Sequence, residues 1–437
     1  ANNYGILVNG ELKKNKDNAV IENKDNAVID GLEVENKGLI FKALDTGGYK
    51  ATKKDHSHFG QTYEVEETIN SITKKYTIIN AKAIESEGDI TGIDATTKEV
   101  NMTGTESLKL ENGTLSYTDS DNKEQVENIS SDKGYILNGI TDILKVSGKN
   151  NELNGSIINA YGIAVVFGDT GDNNQLTLSG TIVNGGIDES NPDTKDIAIL
   201  GSVNGDTLIL QSGEIKYTDN GVEKSATQNT IVNGNIDMKD GSDNLIVGTG
   251  TVLNGDVAMG TGNDELNIEN GAVINGTLDG GADNDTLNFG VSSVAKSSSS
   301  ESEEIRILHN ISNFENMNIN TNVTLYEKTV GKDGKEADLK ITGAENITIG
   351  ANGVLTLRID STKKDSDKII GHALYGNKGE ISSTGGKLLL AVNGAGNESI
   401  ISFGDTNLGD GLVIGDGGTF DITSQLHTIL KLSENEV

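Results

Sequence analysis

The sequence predicts an all-β chain, wound as a right-handed parallel β-helix with rungs of about 21 residues from which loops and hairpins extrude. Three observations carry this expectation. Apolar residues recur in short alternating runs, a column-by-column frame repeats through the middle of the chain, and Gly, Asn and Asp punctuate the runs at fixed offsets.

The frame is clearest in the segments beginning at Ile231, Val252 and Val273, which superpose every 21 residues. The first two columns are apolar: Ile231, Val252 and Val273, then Val232, Leu253 and Ile274. The pairs Asn233-Gly234, Asn254-Gly255 and Asn275-Gly276 follow, then the apolar column Ile236, Val257, Leu278. Farther along, Asp243, Asp264 and Asp285 align, with Leu245, Leu266 and Leu287 two residues later and Val247, Ile268 and Phe289 two beyond those. A spacing of two marks a strand with one buried face. No single rung can bury that face, so equivalent side chains must stack about 4.8 Å apart in a continuous interior column. Helical connections are excluded because the runs are short and Gly and Asn interrupt them.

Degraded copies extend the frame: Ile136-Leu137-Asn138-Gly139-Ile140, Leu153-Asn154-Gly155-Ser156-Ile157 and Ile182-Val183-Asn184-Gly185-Gly186-Ile187. Near the start, residues 15–22 are repeated almost verbatim by 23–30, which reads as one more stacked unit. The single proline, Pro192, suits a ladder that needs its N–H donors. Residues 1–437 are therefore expected to form one elongated domain, a rod on the order of 80 to 100 Å long, with less regular rungs over 1–130, the most regular over 131–290 and interrupted ones over 291–437. Leu108 to Asp119 and Leu208 to Asp219 each read as a rung opening into a hairpin. Lys50 to Thr62, Ser292 to Glu304, Glu327 to Lys335 and Ser361 to Lys378 read as further loops, and such insertions collect on binding faces.

Composition narrows the function. A net charge of −31 with two arginines, Arg306 and Arg358, excludes a nucleic-acid grip, which needs a basic face. Hydrophobic residues at 34% and aromatics at 4% leave too little for one large rounded core, while the alternating runs argue against disorder. There is no Cys, so neither disulfides nor thiolate metal sites operate. No run approaches the ~18 apolar residues that span a bilayer, so this segment is not expected to insert in a membrane, and as an isolated fragment it is expected to be a monomer. The opening Ala1-Asn2-Asn3-Tyr4-Gly5 has no charged or apolar signal region, so a signal peptide is expected to be removed or to lie upstream.

Three residue patterns bear on chemistry. Gly260-Thr261-Gly262-Asn263-Asp264-Glu265-Leu266 matches the core of a calcium-binding nonapeptide, and residues 280–287 match it with Asp in place of the second Gly, but the motif recurs every 21 residues rather than every nine. A corner turn whose Asp bonds local amides is the favoured reading. Calcium remains the candidate cofactor at Asp243, Asp264 and Asp285, because stacked carboxylates repel unless bonded or bridged. Asp55-His56-Ser57-His58 offers three ligand types in four residues without a fourth, and reads as a solvated loop. His309, His372 and His427 are scattered and take no role. A lyase on this scaffold needs clustered acids with an Arg or Lys base, and Arg306 and Arg358 stand alone. Gly168-Asp169-Thr170-Gly171 carries Thr where a nucleophilic Ser belongs and reads as a corner. No catalytic residue is assigned.

With the Asn-Gly rungs, the acidity, the missing Cys and the Gly-Thr-Gly-Asn-Asp and Gly-Ala-Asp-Asn-Asp corners in view, the chain resembles the passenger domain of a Gram-negative autotransporter. More narrowly, it resembles a piece of one of the very large type V autotransporter adhesins. The resemblance implies outer-membrane secretion, extracellular display on the bacterial surface, and adhesion to host-cell or bacterial proteins or glycans. No site residue carries over from it. The end, Leu432 to Val437, departs from the aromatic end of a translocator barrel, so a fragment is expected. The expected function is a non-enzymatic adhesin segment whose rod presents loops, with Tyr117 and Tyr217 as the candidate contact residues because exposed Tyr in a Gly/Ser/Asp setting supplies interface area. The alternatives are a stalk without a ligand site and, behind it, a carbohydrate-active enzyme.

Overall fold

The structure is a computed structural model. It describes residues 98–404 apart from 103–106, 120, 131–133, 140–141, 161, 170–172, 187–195, 220–221, 291–303, 331–334, 367 and 394–399, and beyond these only strand backbone. That backbone comprises Leu12–Asn15, Asn18–Glu22, Val28–Ile29, Tyr49–His56, Gly60–Ile69, Ile72–Ile79, Ile90–Ile93, Asn407–Ile414 and Thr419–Ile422. Pro192, His58, His427 and the loop at 292–303 lie outside the described residues, as do Thr170 and Gly171. Every described element is a strand, so no helix long and apolar enough to cross a membrane occurs among them.

The chain divides into two compact units, residues 1–240 with 248–256, and residues 241–247 with 257–437. Within the first unit, parallel strands form three stacks. The first holds Lys98–Met102, Tyr135–Gly139, Ile157–Ala160, Ile182–Asn184, Thr230–Asn233 and Thr251–Asn254. The second holds Leu108–Glu111, Leu144–Ser147, Val165–Phe167, Ile197–Leu200 and Asn235–Asp237. The third holds Asn151–Asn154, Gln175–Ser179 and Thr207–Gln211. From Tyr135 to Asp237 the chain visits them in a fixed cyclic order, first, second, third, then first again.

The second unit repeats the pattern. Asn244–Val247, Glu265–Ile268, Thr286–Phe289, Asn316–Ile319, Asn346–Ile349 and Glu380–Ser383 form one parallel stack. Ile305–Ile307, Asn322–Leu325 and Val354–Asp365 form another, and Val257–Ala258, Leu278–Asp279, Ile311–Ser312 and Ile341–Thr342 a third.

The aligned columns are the observed register. Ile231 pairs with Val252, Val232 with Leu253 and Asn233 with Asn254; Leu245, Leu266 and Leu287 pair in turn, as do Val247, Ile268 and Phe289. The interior faces are buried without exception along the Leu245, Leu266, Leu287, Met317, Ile347, Ile381 column. In the first stack both faces are buried, Ile231 and Val252 as well as Val232 and Leu253. This explains why the sequence there reads as consecutive apolar pairs instead of an alternation. The interval of 21 holds only for the tightest rungs; the partners one rung apart are separated by 25 and 49 residues in the first unit and by 30 and 34 in the second. Insertions lengthen rungs without disturbing the register.

Three expectations need correction. The near-verbatim repeat of residues 15–30 is not a parallel stacked unit: Leu12–Asn15, Asn18–Glu22 and Val28–Ile29 pair antiparallel, because the connections are too short for a parallel crossover. Asn154-Gly155 does not align with Asn138-Gly139, since Ile136 and Leu137 take Ile157 and Ile158 as partners and put Asn159 beside Asn138. Residues 50–62 are not an open loop, because Tyr49–His56 pairs antiparallel with Gly60–Ile69, which in turn pairs with Ile72–Ile79.

Interior packing sets a first measurable consequence. Leu266→Ala opens a void between Leu245 and Leu287 and is expected to lower unfolding free energy by about 2–5 kcal/mol in urea titrations, with Glu265→Ala, on the exposed face of the same strand, near zero.

Candidate functional site

Two kinds of site emerge, a set of corner columns and a set of hairpins. At the start of each strand in the long stack of the second unit stands an acid: Asp243 before Asn244, Asp264 before Glu265, Asp285 before Thr286 and Glu315 before Asn316. The three aspartates are 2%, 2% and 0% exposed. Asp264 Oδ1 accepts the Asp243 N–H at 2.7 Å, Asp285 Oδ1 accepts the Asp264 N–H at 2.8 Å, and Glu315 Oε2 accepts the Asp285 N–H at 2.7 Å. The structure therefore stacks Asp243, Asp264 and Asp285, but the amides that Asp264 and Asp285 accept are not the local ones expected of a corner turn: they belong to the neighbouring rung, 21 residues away.

Burial dominates the electrostatics here. It pushes the Asp264 carboxyl up to about 6 and the Asp285 carboxyl up to about 7, against the lowering effect of the amide bonds, and the neighbouring carboxylates of Asp283 and Glu315 add to the rise. Calcium asks for roughly six to eight oxygen ligands around one point. Asp264 and Asp285 instead each give one oxygen to the main-chain N–H of the preceding rung, and no group of three or more metal-capable side chains converges among the described residues. The column does not fit a calcium shell. Its glycines serve the corner: Gly262 sits at φ +125°, and a Cβ there would strike the Gly241 carbonyl oxygen.

The first unit uses other side chains for the same purpose. Asn174 Oδ1 accepts the Gly148 N–H at 3.0 Å, and Asp206, its pKa pushed up by burial, accepts Asn174 Nδ2 at 2.9 Å and the Ser202 N–H at 2.8 Å. At a second corner, hydroxyls of Ser156, Thr181 and Thr230 accept the N–H groups of Tyr135, Ser156 and Thr181 at 3.0, 3.3 and 3.0 Å. The buried amides of Asn184 and Asn233, joined by Asn254, each donate Nδ2 to the Oδ1 of the preceding rung: Asn159, Asn184 and Asn233, at 2.7, 2.6 and 2.8 Å. The hydroxyl column is hidden in the sequence because its members, Ser156, Thr181 and Thr230, are spaced 25 and 49 residues apart; a Ser or Thr at the start of these strands, just before Ile157, Ile182 and Ile231, is the available signal.

Both predicted hairpins form. Leu108–Glu111 is a parallel neighbour of Leu144–Ser147 and the antiparallel partner of Thr114–Thr118, which then pairs with Glu124–Asn128. Gly213–Asp219 pairs with Val222–Gln228 and, on its other edge, with Ile90–Ile93. The first hairpin tip is held by Asp119, whose carboxyl takes the N–H groups of Asp121 and Lys123 and the Gln125 amide, which keeps its pKa below the usual range. Tyr117 does not stand exposed in a loop as expected. It is 8% exposed on the inward side of the strand, its ring under Lys98 Nζ at 5.2 Å, and Lys98 pairs with Glu127 at 2.6 Å. Burial pulls the Lys98 pKa down, but Glu127 and Tyr117 outweigh it and leave it raised. Strand alternation, which puts Leu115 and Tyr117 on one face, is the physical reason. Tyr217 lies in the second hairpin strand opposite Lys224.

Neither arginine is available as a base. Arg358 binds Glu327 through Nε and Nη2, each at 3.1 Å, and stacks on Tyr326 at 4.4 Å, while Arg306 pairs with Glu304 at 3.1 Å. His56 ends a hairpin strand, and His309 Nδ1 meets Thr329 Oγ1 at 3.3 Å. No protein-family model, curated protein or solved structure matches the chain.

The buried amide column yields the prediction for this site. Asn233→Ala removes a donor to Asn184 and an acceptor from Asn254, and is expected to cost about 1–3 kcal/mol in chemical denaturation. A loss below about 0.5 kcal/mol would show that the column is incidental.

Proposed function

We propose that this chain is a segment of a bacterial surface adhesin of the autotransporter type, displayed at the outer membrane and extracellular. In it a right-handed parallel β-helix carries hairpins outward to bind a protein or glycan on host or bacterial cells. One observation supports this above the others: strands of the parallel stacks run directly into antiparallel hairpins, at Leu108–Glu111 and again after Thr207–Gln211, without breaking the register of the stack. Such insertions add surface where the repeat itself has only a uniform face. A non-enzymatic role accords with the pairing of both arginines to carboxylates. Handedness follows the general preference for right-handed crossovers between parallel strands.

The contact surface is assigned to the hairpins and not to the Tyr117 ring, which the Lys98 contact covers. Replacing residues 119–123 with a two-residue turn and shortening 216–225 likewise tests this in binding of the purified chain to host and bacterial cells. The expected result is a roughly tenfold or greater loss of binding with an unchanged urea midpoint. Undiminished binding would remove the hairpins as contacts, and a parent chain that binds no cell would leave a stalk.

A further inference from the structure

We propose that the Asp264–Asp285–Glu315 corner is a proton-operated lock that makes the second unit more resistant to unfolding in mildly acidic surroundings than at neutral pH. The argument begins with geometry. Asp264 and Asp285 are buried, and each uses Oδ1 to accept the N–H of the aspartate one rung before it. The second oxygen of each, Oδ2, is buried and meets no hydrogen-bond donor. A proton on Oδ2 would remove the charge from the interior while leaving Oδ1 to hold the amide. Ionised, the same group must keep a desolvated negative charge beside others of its kind.

Burial and the neighbouring charges favour the protonated form, and only the main-chain amides on Oδ1 oppose it. Asp283 faces both carboxyls from the turn before Asp285, Glu315 faces Asp285 from the following rung, and Asp264 faces Asp285 from the preceding one. Asp243, a buried carboxyl in its own right, stands one rung before Asp264 and donates its main-chain N–H to it. Among the described residues, the charged neighbours acting on the pair are carboxylates, Asp283, Glu315 and, for Asp285, Asp264. The sign follows: folded values of about 6 and about 7 lie above the ordinary 3.8, so folding favours proton uptake. The stabilising effect is complete below the unfolded value and is lost as pH rises through 6 and 7.

Asn is the informative replacement, since Asn174 Oδ1 already accepts a main-chain N–H at the corresponding corner of the first unit. Urea midpoints would be measured at pH 5 and pH 8 for the parent chain, Asp264→Asn, Asp285→Asn and the outward-facing Glu265→Gln as a control for net charge. The parent is expected to unfold at higher urea at pH 5. Each Asn variant is expected to gain resistance at pH 8 and to show a smaller step between the two pH values, while Glu265→Gln keeps the full step. Asn variants that lose resistance at pH 8 and keep the step would overturn the proposal, as would calcium raising the pH 8 midpoint. Should the variants fail to fold, infrared titration of the parent decides. A protonated-carboxyl band that disappears near pH 6 to 7 supports the lock, and midpoints confined to the ordinary carboxylate range contradict it.

Discussion

Where a short strand ends at a corner, the next main-chain N–H leaves the sheet ladder and, once buried, must find an acceptor or cost free energy comparable to a lost hydrogen bond. Here the acceptor comes from a side chain at the same corner one rung on. Carboxyls serve at Asp264, Asp285 and Glu315, an amide at Asn174 and hydroxyls at Thr181 and Thr230. In these columns the later rung supplies the acceptor for the one before it, while at other turns the earlier rung supplies it, as Asn235 does for the Asp256 N–H and Asn263 for the Asn284 N–H. Stacking is thereby specified twice, by apolar columns inside and by polar columns at the corners. A rung displaced by one residue would both expose its leucines and orphan its corner amide.

This double specification accounts for what the sequence discloses. Leu245, Leu266 and Leu287, and the aspartates two residues before them, repeat at one interval because both must stack, so their columns could be read without a structure. The hairpins at 108–128 and 213–228 were legible for a related reason, an alternating run continuing beyond a Gly turn. Elsewhere the signal was diluted. The Thr181 and Thr230 hydroxyls sit 49 residues apart because a hairpin intervenes, and fixed-period alignment cannot see across it. Asn154 was misaligned because Asn-Gly turns occur at more than one corner, and only pairing register separates them. The burial of Tyr117 followed from alternation within its own strand, a local rule that the polar company of Ser116 and Thr118 obscured.

The aspartate corners show how one motif serves different physics at different spacing. Gly-x-Gly-x-Asp repeated closely can gather oxygens around an ion; spaced by a whole rung, the same residues bring glycines within reach of carbonyls and set each carboxyl on an amide. The result is a polar seam inside an acidic chain, with no cation required by its geometry. Together with hairpins that leave the register intact, such seams give a scaffold on which surface additions are tolerated, the arrangement proposed here for adhesion.

The stacking itself is open to direct measurement. Because the chain has no Cys, spin labels can be placed uniquely at Glu265→Cys and Glu380→Cys, two exposed outward positions in one register row of the second unit. Successive pairing through Thr286, Asn316 and Asn346 puts four strand spacings between them, about 19 Å between the backbones. Pulsed electron–electron resonance is expected to give a narrow distribution near that separation. A broad distribution, or one centred far beyond it, would contradict the rung-on-rung account.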